Sequence, residues 1–133
     1  MMSATPRKFK ERYSLERIHD VDMIRRRYPN RIPVIIEKFH GEKHLPLLSR
    51  IKFLVPDFLT VAELVKIIRR RLQLHPSQAF FFLVNERNIA SGSMTLGQLY
   101  QREKDVDGFL YMVFASQDVM PSFLWNILCI KYF

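Results

Sequence analysis

Residues 51–74 read IKFLVPDFLTVAELVKIIRRRLQL and join a short apolar run to a helical pattern. Within them, Thr60 is followed three residues later by Glu63, which is the capping-box signature of a helix start. Apolar residues then recur at helical spacing, as in a helix with one buried face. They are Val61, Leu64, Val65, Ile68 and Leu72. The stretch therefore predicts a strand followed by an amphipathic helix, which His75 and Pro76 end.

Two apolar runs upstream of this helix predict a pair of strands. RIPVIIEKF, residues 31–39, and IKFLVP, residues 51–56, are rich in branched and aromatic side chains, and Gly41 and Pro46 between them mark a loop. Both alternating sets of side chains include apolar groups, so we expect a sheet covered on both faces. Pro33 has no amide hydrogen, so its nitrogen should point away from a strand partner.

The region before the first strand predicts a helix from Ser14 to Tyr28. Its apolar residues recur every three or four positions, which predicts a face that packs on the rest of the protein. They are Leu15, Ile18, Val21, Ile24 and Tyr28, and Pro29 ends the pattern. A shorter helical turn is expected around residues 6–11.

The second half of the chain completes an α+β pattern. AFFFLV, residues 79–84, predicts a third strand; MTLGQLYQRE, residues 94–103, a short helix; and DGFLYMVFA, residues 107–115, a fourth strand. Two strands, a helix across them and two further strands are typical of a β-grasp fold, here a four-stranded mixed sheet with a central helix. The N-terminal helix is then available to cover the other face.

Composition limits the chain to one substantial core and points to an acidic partner. The 133 residues are 48% hydrophobic and include eleven Phe. One cysteine excludes an intramolecular disulfide, and no apolar signal segment opens the sequence, so we expect a cytoplasmic protein.

The net charge is +8, and nine Lys or Arg against four Asp or Glu lie between Met1 and Arg31. The partner could be nucleic acid, an anionic membrane or an acidic peptide, unless the basic face is merely solvated.

The sequence shows no motif for catalysis. The four histidines, His19, His40, His44 and His75, lie in different elements without metal-ligand spacing, and the glycines do not form a phosphate loop. Cys129 is neither at a helix start nor beside a fixed base. We therefore expect a non-enzyme without metal or cofactor.

Two basic clusters, RRRY and IIRRRLQL, leave a small RNA-binding domain as the alternative.

Residues 52–55, KFLV, predict either an ordinary core strand or an edge strand that binds a peptide. An edge strand has backbone groups that can pair with an added peptide strand, and neighbouring pockets then select side chains of that peptide. Alternation along the strand would send Lys52 and Leu54 toward the N-terminal helix and Phe53 and Val55 toward the central helix.

Several long strings of the sequence resemble one known family. NRIPVIIEKFHGEKHLPLL, IKFLVPDFLTVAELVKIIRRRLQL, QAFFFLVN and KDVDGFLYMVFASQ are similar to the ubiquitin-like autophagy modifiers, the family of microtubule-associated protein light chain 3 and the GABA-receptor-associated protein. The light-chain-3 branch is the more similar, and the resemblance runs from about Phe9 to Gln117. It implies a helical extension at residues 1–28, a ubiquitin-like β-grasp core at 29–118 with two N-terminal helices before it, and a separate tail at 119–133.

The resemblance also implies a function. Family members are monomeric cytoplasmic proteins that tag autophagosome membranes, associate with microtubules and recruit cargo receptors through short acidic-aromatic peptides. By matching motifs, the aromatic pocket would be formed by Asp20, Ile24, Pro33, Ile35, Lys52, Leu54 and Phe109. The aliphatic pocket would be formed by Phe53, Val55, Pro56, Leu64, Ile67 and Ile68. Contacts to the acidic flank would come from Arg12, Arg31, Lys52 and Arg71, unless these cations only face solvent.

The C-terminus departs from the family pattern. Family members are cut to a terminal glycine that conjugation enzymes join to phosphatidylethanolamine, but here Met120 and Pro121 stand where Phe and Gly are expected, and no glycine follows Gly108. We therefore do not expect lipid conjugation of this chain. Eleven of the fifteen residues from Val119 to Phe133 are apolar, too few for a spanning helix of about 20 residues. The tail could pack, contact a membrane interface, or derive from an alternative or mispredicted last exon.

Overall fold

The computed structural model describes residues 14–116 of the chain. They form three helices, α1 (Ser14–Arg27), α2 (Val61–Leu72) and α3 (Leu96–Glu103), and five strands, β1 (Arg31–Lys38), β2 (Lys52–Pro56), β3 (Phe81–Val84), β4 (Asn88–Ile89) and β5 (Leu110–Ala115). The predicted α+β fold and the order of its elements are confirmed. The two-residue strand β4 is an addition to the four predicted strands.

The five strands make one mixed sheet in the order β2, β1, β5, β3, β4. Strand β1 pairs antiparallel with β2 and parallel with β5, and β3 pairs antiparallel with both β5 and β4. The first and last strands of the chain are thus central, whereas β2 lies at an edge with one neighbour among the described strands. The capped helix α2 follows that edge strand after a four-residue connection.

Pro33 lies in a central strand without interrupting it. Its partner in β2 is Leu54, and the ladder between β1 and β5 begins one residue later, at Val34. Ile36 donates its amide hydrogen toward Ile51, on the β2 side. Successive amides of a strand point in opposite directions, so Pro33, three residues before Ile36, directs its nitrogen toward the β5 side. The ladder with β5 starts only at the next residue, Val34. The prediction that it faces away from a strand partner agrees with this register.

Both faces of the sheet are covered, as the alternating apolar sets predict. The larger core lies on the face toward α2 and α3 and includes Val34, Leu64, Ile68, Leu96, Leu110 and Phe114. A smaller cluster on the opposite face joins Val21 of α1 to Ile35 and Phe109, with Ile51 and Tyr111 packed against it. The N-terminal helix therefore does cover the second face of the sheet.

The buried face of α1 matches the predicted one only in part. Leu15 and Ile18 are 81% and 52% exposed, whereas Arg17 is buried, together with Val21. The apolar stripe was the wrong guide because a buried carboxylate, Asp107, lies beneath the helix and pairs with Arg17. The helix is thus turned so that Arg17, rather than Ile18, faces the sheet.

The start of α2 has the predicted capping box. The Thr60 hydroxyl accepts from the Glu63 amide at 3.2 Å, and the Glu63 carboxylate accepts from the Thr60 amide at 3.0 Å. The helix ends at Leu72, and Gln73 adopts the left-handed conformation that terminates many helices. Helix α3 begins with the same reciprocal arrangement between Thr95 and Gln98.

Two predicted segments, the helical turn near residues 6–11 and the apolar tail at 119–133, lie outside the described residues. Within residues 14–116, no helix is both long and apolar enough to cross a membrane.

Candidate functional site

The edge strand β2 directs its side chains to two different faces of the sheet. Its register places Lys52 opposite Ile35 and Leu54 opposite Pro33, on the face covered by α1. Phe53 and Val55 pair with Val34 and Ile32 on the opposite face, where α2 packs. One strand at the edge of the sheet therefore borders both clusters of predicted site residues, which we call the α1 side and the α2 side.

On the α1 side, exposed groups surround a fully buried floor. Ile35 and Phe109 are 0% and 1% exposed, so they support the surface from below. Leu54 and Ile24 are half-buried at the surface. The Lys52 ammonium lies 3.5 Å from the Asp20 carboxylate, an ion pair between β2 and α1. All seven residues predicted for the aromatic pocket therefore lie on this face or at its rim.

On the α2 side, half-buried and exposed apolar groups lie above the main core. Val55, Leu64 and Ile68 belong to that core. Phe53 packs against it while remaining half-buried, and Ile67 is 37% exposed. The groups accessible at the surface are thus Phe53 and Ile67, while the three core residues hold them in place.

Pro56 has a different position from the other residues predicted for the aliphatic pocket. It pairs with Arg31 at the end of the ladder, so strand alternation places it on the same face as Leu54. Pro56 is half-buried and Arg31 is exposed. By this alternation Pro56 lies on the face of the α1 side, at the end of β2, rather than within the α2 side.

The basic run of α2 does not form a uniform cationic patch. Arg69 donates to the backbone carbonyls of Gln78 and, at 3.3 Å, His75, and so fixes the turn after the helix. The Arg71 guanidinium lies 5.3 Å from the centre of the Phe53 ring, within the range of a cation–π contact. Arg71 is thus beside the peptide-binding candidate, whereas Arg69 has a structural position.

Sequence reasoning missed a buried polar cluster beneath α1. Arg17 Nε lies 2.9 Å from Asp107 Oδ2, and the Tyr111 hydroxyl donates to the same oxygen at 2.5 Å. The other oxygen, Oδ1, accepts from the Phe109 amide at 2.9 Å. Burial, followed by the hydrogen bond to Asp107, raises the pKa of the Tyr111 phenol well above its ordinary value. Arg17 and Asp107 are 90 residues apart, so no local pattern could connect them.

A second buried carboxylate, Glu42, was also missed. It accepts from the Ser116 amide at 2.6 Å and the Ser116 hydroxyl at 3.2 Å. It also accepts from the amides of His44 at 2.8 Å and Leu45 at 3.0 Å. Burial alone raises the pKa of the Glu42 carboxyl, but these hydrogen bonds together outweigh it, so its pKa lies below the ordinary value. Glu42 thereby ties the loop after β1 to the end of β5.

The described part of the chain contains no cluster of metal-binding groups. Among residues 14–116, no group of three or more His, Cys, Asp and Glu side chains is arranged to hold a metal ion. Three residues discussed from the sequence, Arg12, Pro121 and Cys129, lie outside this range. The edge of β2 is of the kind to which an extended segment can pair through its backbone.

Comparison with known proteins agrees with this fold. The family described as "Autophagy protein Atg8 ubiquitin like" matches residues 16–121. Protein lgg-2 of Caenorhabditis elegans is 61% identical over 116 residues, which cover 86% of this chain and 87% of that protein. Microtubule-associated protein 1 light chain 3 gamma of Homo sapiens is 45% identical over 113 residues, which cover 84% and 77%.

These matches are consistent with the light-chain-3 branch expected from the sequence. Proteins of the matched family are non-enzymatic modifiers. The match extends from α1 past the end of β5, so it includes the whole sheet and both sides of the β2 edge. The chain therefore belongs to the Atg8 ubiquitin-like family of autophagy proteins.

Proposed function

We propose that this autophagy protein binds short acidic-aromatic motifs of cargo receptors and adaptors at the outer edge of β2. The observation that carries the proposal is the position of β2 at the end of the strand order, with its side chains divided between two faces. A peptide that pairs with such an edge gains backbone hydrogen bonds, and alternate side chains of the peptide reach opposite faces.

The two ends of the motif contact different surfaces in this proposal. The aromatic side chain lies on the α1 side, against Leu54 and Ile24. The aliphatic side chain lies on the α2 side, against Phe53 and Ile67. This arrangement is supported by the partial exposure of these four groups over buried floors.

The acidic flank of the motif is attracted by exposed cations along the edge, Lys52, Arg31 and Arg71. Such contacts raise the association rate and are weakened by salt. The resemblance adds Arg12 to this set. The net charge of +8 favours acidic partners in general.

The proposal includes a cellular setting. A monomeric, non-enzymatic adaptor acts in the cytoplasm and at the autophagosome membrane, and family membership supports both places. The name of the human relative, a microtubule-associated protein, supports microtubules as a further partner. The family's conjugation enzymes are partners by resemblance, with productive processing of this chain not expected.

The direct test is calorimetric titration of the full chain with an acidic-aromatic peptide. We expect binding by the parent, and loss of at least about tenfold in affinity when Lys52→Ala and Leu54→Ala are combined, since this removes a flank cation and an apolar contact. Arg102→Ala, an exposed charge change on α3, is the matched control and should bind like the parent. If the double variant also binds like the parent, the site is wrong.

Phe53→Ala tests the α2 side of the same site. It should weaken peptide binding while leaving a folded protein, because Phe53 is only half-buried. Circular dichroism and the unfolding midpoint establish that the variant is folded. A folded Phe53→Ala variant with parental affinity would contradict the assignment of the aliphatic pocket.

The RNA-binding alternative makes an opposite prediction in the same experiments. An RNA-binding domain would show affinity for RNA that falls steeply with salt, and that affinity would not respond to Leu54→Ala. The structural position of Arg69 weakens this alternative, since its guanidinium is used within the chain.

A further inference from the structure

We propose that the buried pair Arg17 and Asp107 is the positioning element that sets α1 as the wall of the aromatic pocket. This inference rests on the proposed function, and it assigns a role to residues that do not touch the peptide. Asp107 and Arg17 act through α1, which carries Asp20 and Ile24 at the rim and wall of the α1 side.

The Asp107 carboxylate connects α1 to the β5 region. The Arg17 and Asp107 side chains are 10% and 3% exposed at a separation of 2.9 Å. Oδ2 of Asp107 also accepts from the Tyr111 hydroxyl, and Oδ1 accepts from the Phe109 amide. The Tyr111 hydroxyl and the Phe109 amide thus bind the carboxylate from the β5 region, and Arg17 binds it from α1.

A buried ion pair is poorly explained by stability alone. Removing both charges from water costs several kcal/mol, and apolar replacements of similar volume are often as stable. An ion pair does, however, penalise every other orientation of the helix, because rotation would leave a buried charge unpaired. This agrees with the observed turn of α1, which leaves Leu15 and Ile18 exposed in favour of Arg17.

A close backbone approach adds a second constraint one turn further along the helix. Gly108 has φ +93°, and a Cβ at this position would lie 2.4 Å from Val21 Cγ1. Val21 therefore packs directly on the Gly108 backbone. Residues 107–109 hold Arg17, contact Val21 and supply the Phe109 floor, so they fix the helix and the floor of the aromatic pocket together.

The α2 side is independent of this cluster. Phe53 packs on the main core, while Val21, Ile35 and Phe109 form the separate cluster beneath α1. A change in the orientation of α1 should therefore affect recognition of the aromatic side chain and leave recognition of the aliphatic one intact. A general loss of stability would not distinguish the two.

The test combines Asp107→Asn with three peptides: the parent motif, the motif with its aromatic replaced by Ala, and the motif with its aliphatic residue replaced by Ala. We expect Asp107→Asn to weaken binding of the parent and the aliphatic-to-Ala peptides by about tenfold each, as for residues coupled through a shared structural element. The aromatic-to-Ala peptide should bind both proteins equally. Arg26→Met, which breaks the exposed Arg26–Asp22 pair at 3.0 Å, is the matched control and should change none of the three affinities.

A second variant keeps the test decisive if Asp107→Asn does not fold. Combining Arg17→Met with Asp107→Asn removes both charges, so no unpaired charge is buried, and the Asn side-chain oxygen can still accept from the Phe109 amide. This variant should fold, show the same dependence on the peptide aromatic, and lose hydrogen-exchange protection in α1 while the sheet keeps it.

The outcomes separate the inference from the proposed function. Equal losses for all three peptides, or no loss for any of them, would overturn the positioning role. If the parent protein binds none of the peptides, the proposed function is wrong. Hydrogen exchange in α1 would then still test whether the pair holds the helix. Unchanged protection of α1 in the variants would contradict that role.

Discussion

Glu42 shows how much a single residue contributes that local sequence cannot reveal. It lies in a loop with ordinary polar composition, yet its carboxylate holds Ser116, which is 74 residues away. The pair Arg17 and Asp107 presents the same difficulty, since both are charged residues that composition assigns to the surface. The residues assigned to the two pockets came instead from the resemblance to the family, and their role in peptide binding stays a prediction.

Replacing Glu42 by Gln should destabilise the protein at neutral pH and flatten its acid dependence. A Gln side chain directs an amide donor toward backbone amides, so buried donors lose their acceptor, which costs about 1–3 kcal/mol. The folded pKa of Glu42 lies below its ordinary value of 4.5. Its stabilising contribution is therefore present above the unfolded pKa and is lost as pH falls through the folded pKa.

Urea unfolding of parent and Glu42→Gln at pH 7 and at acid pH measures this effect. The difference in unfolding free energy should be large at pH 7 and shrink in acid. Glu16→Gln, an exposed change in the first turn of α1, is the control and should shift neither value appreciably. A difference for Glu42→Gln that stays constant with pH would contradict the linkage.

At the scale of elements, the helix whose start signal and apolar stripe agree was predicted well. Helix α2 has both, and it begins directly after Thr60. The stripe in α1 had no such support, and the tertiary pair beneath the helix overrode it. Strand β4 was missed because two residues are too few to show an alternating pattern.

Thr60→Ala should reduce the free energy of unfolding by about 1 kcal/mol, because it removes the acceptor for the Glu63 amide at the helix start. The measurement is chemical denaturation at pH 7. Ser49→Ala, an exposed loop position that also loses a hydroxyl, is the matched control and should stay within about 0.5 kcal/mol of the parent. Equal stabilities of Thr60→Ala and parent would show that the capping box contributes nothing.

At the scale of the whole molecule, the strand order of the sheet determines that β2 lies at an edge. Strands β1 and β5 pair in the centre, so β2 is left at the edge although it is the second strand of the chain. Local patterns predicted that β2 exists and that its side chains face two ways. Its edge position among the strands of residues 14–116 depends on β5 returning beside β1, a contact between residues far apart in sequence that periodicity does not encode.

The same topology bears on lipid conjugation, which should not occur on this chain. The last glycine of the sequence is Gly108, and a cut after it would remove β5, the strand that joins β1 to β3. Pro121 stands where the resemblance places the lipid-accepting glycine, and its ring fixes φ and removes the amide donor.

Incubation with the family's conjugation enzymes and phosphatidylethanolamine liposomes, followed by mass spectrometry, should show no lipid adduct. The chain with Met120→Phe and Pro121→Gly is the positive control and should gain one, which establishes that the enzymes accept this core. An adduct on the parent chain would refute the prediction, whereas flotation of the intact parent that depends on residues 122–133 would mean that the tail contacts the membrane without a covalent bond.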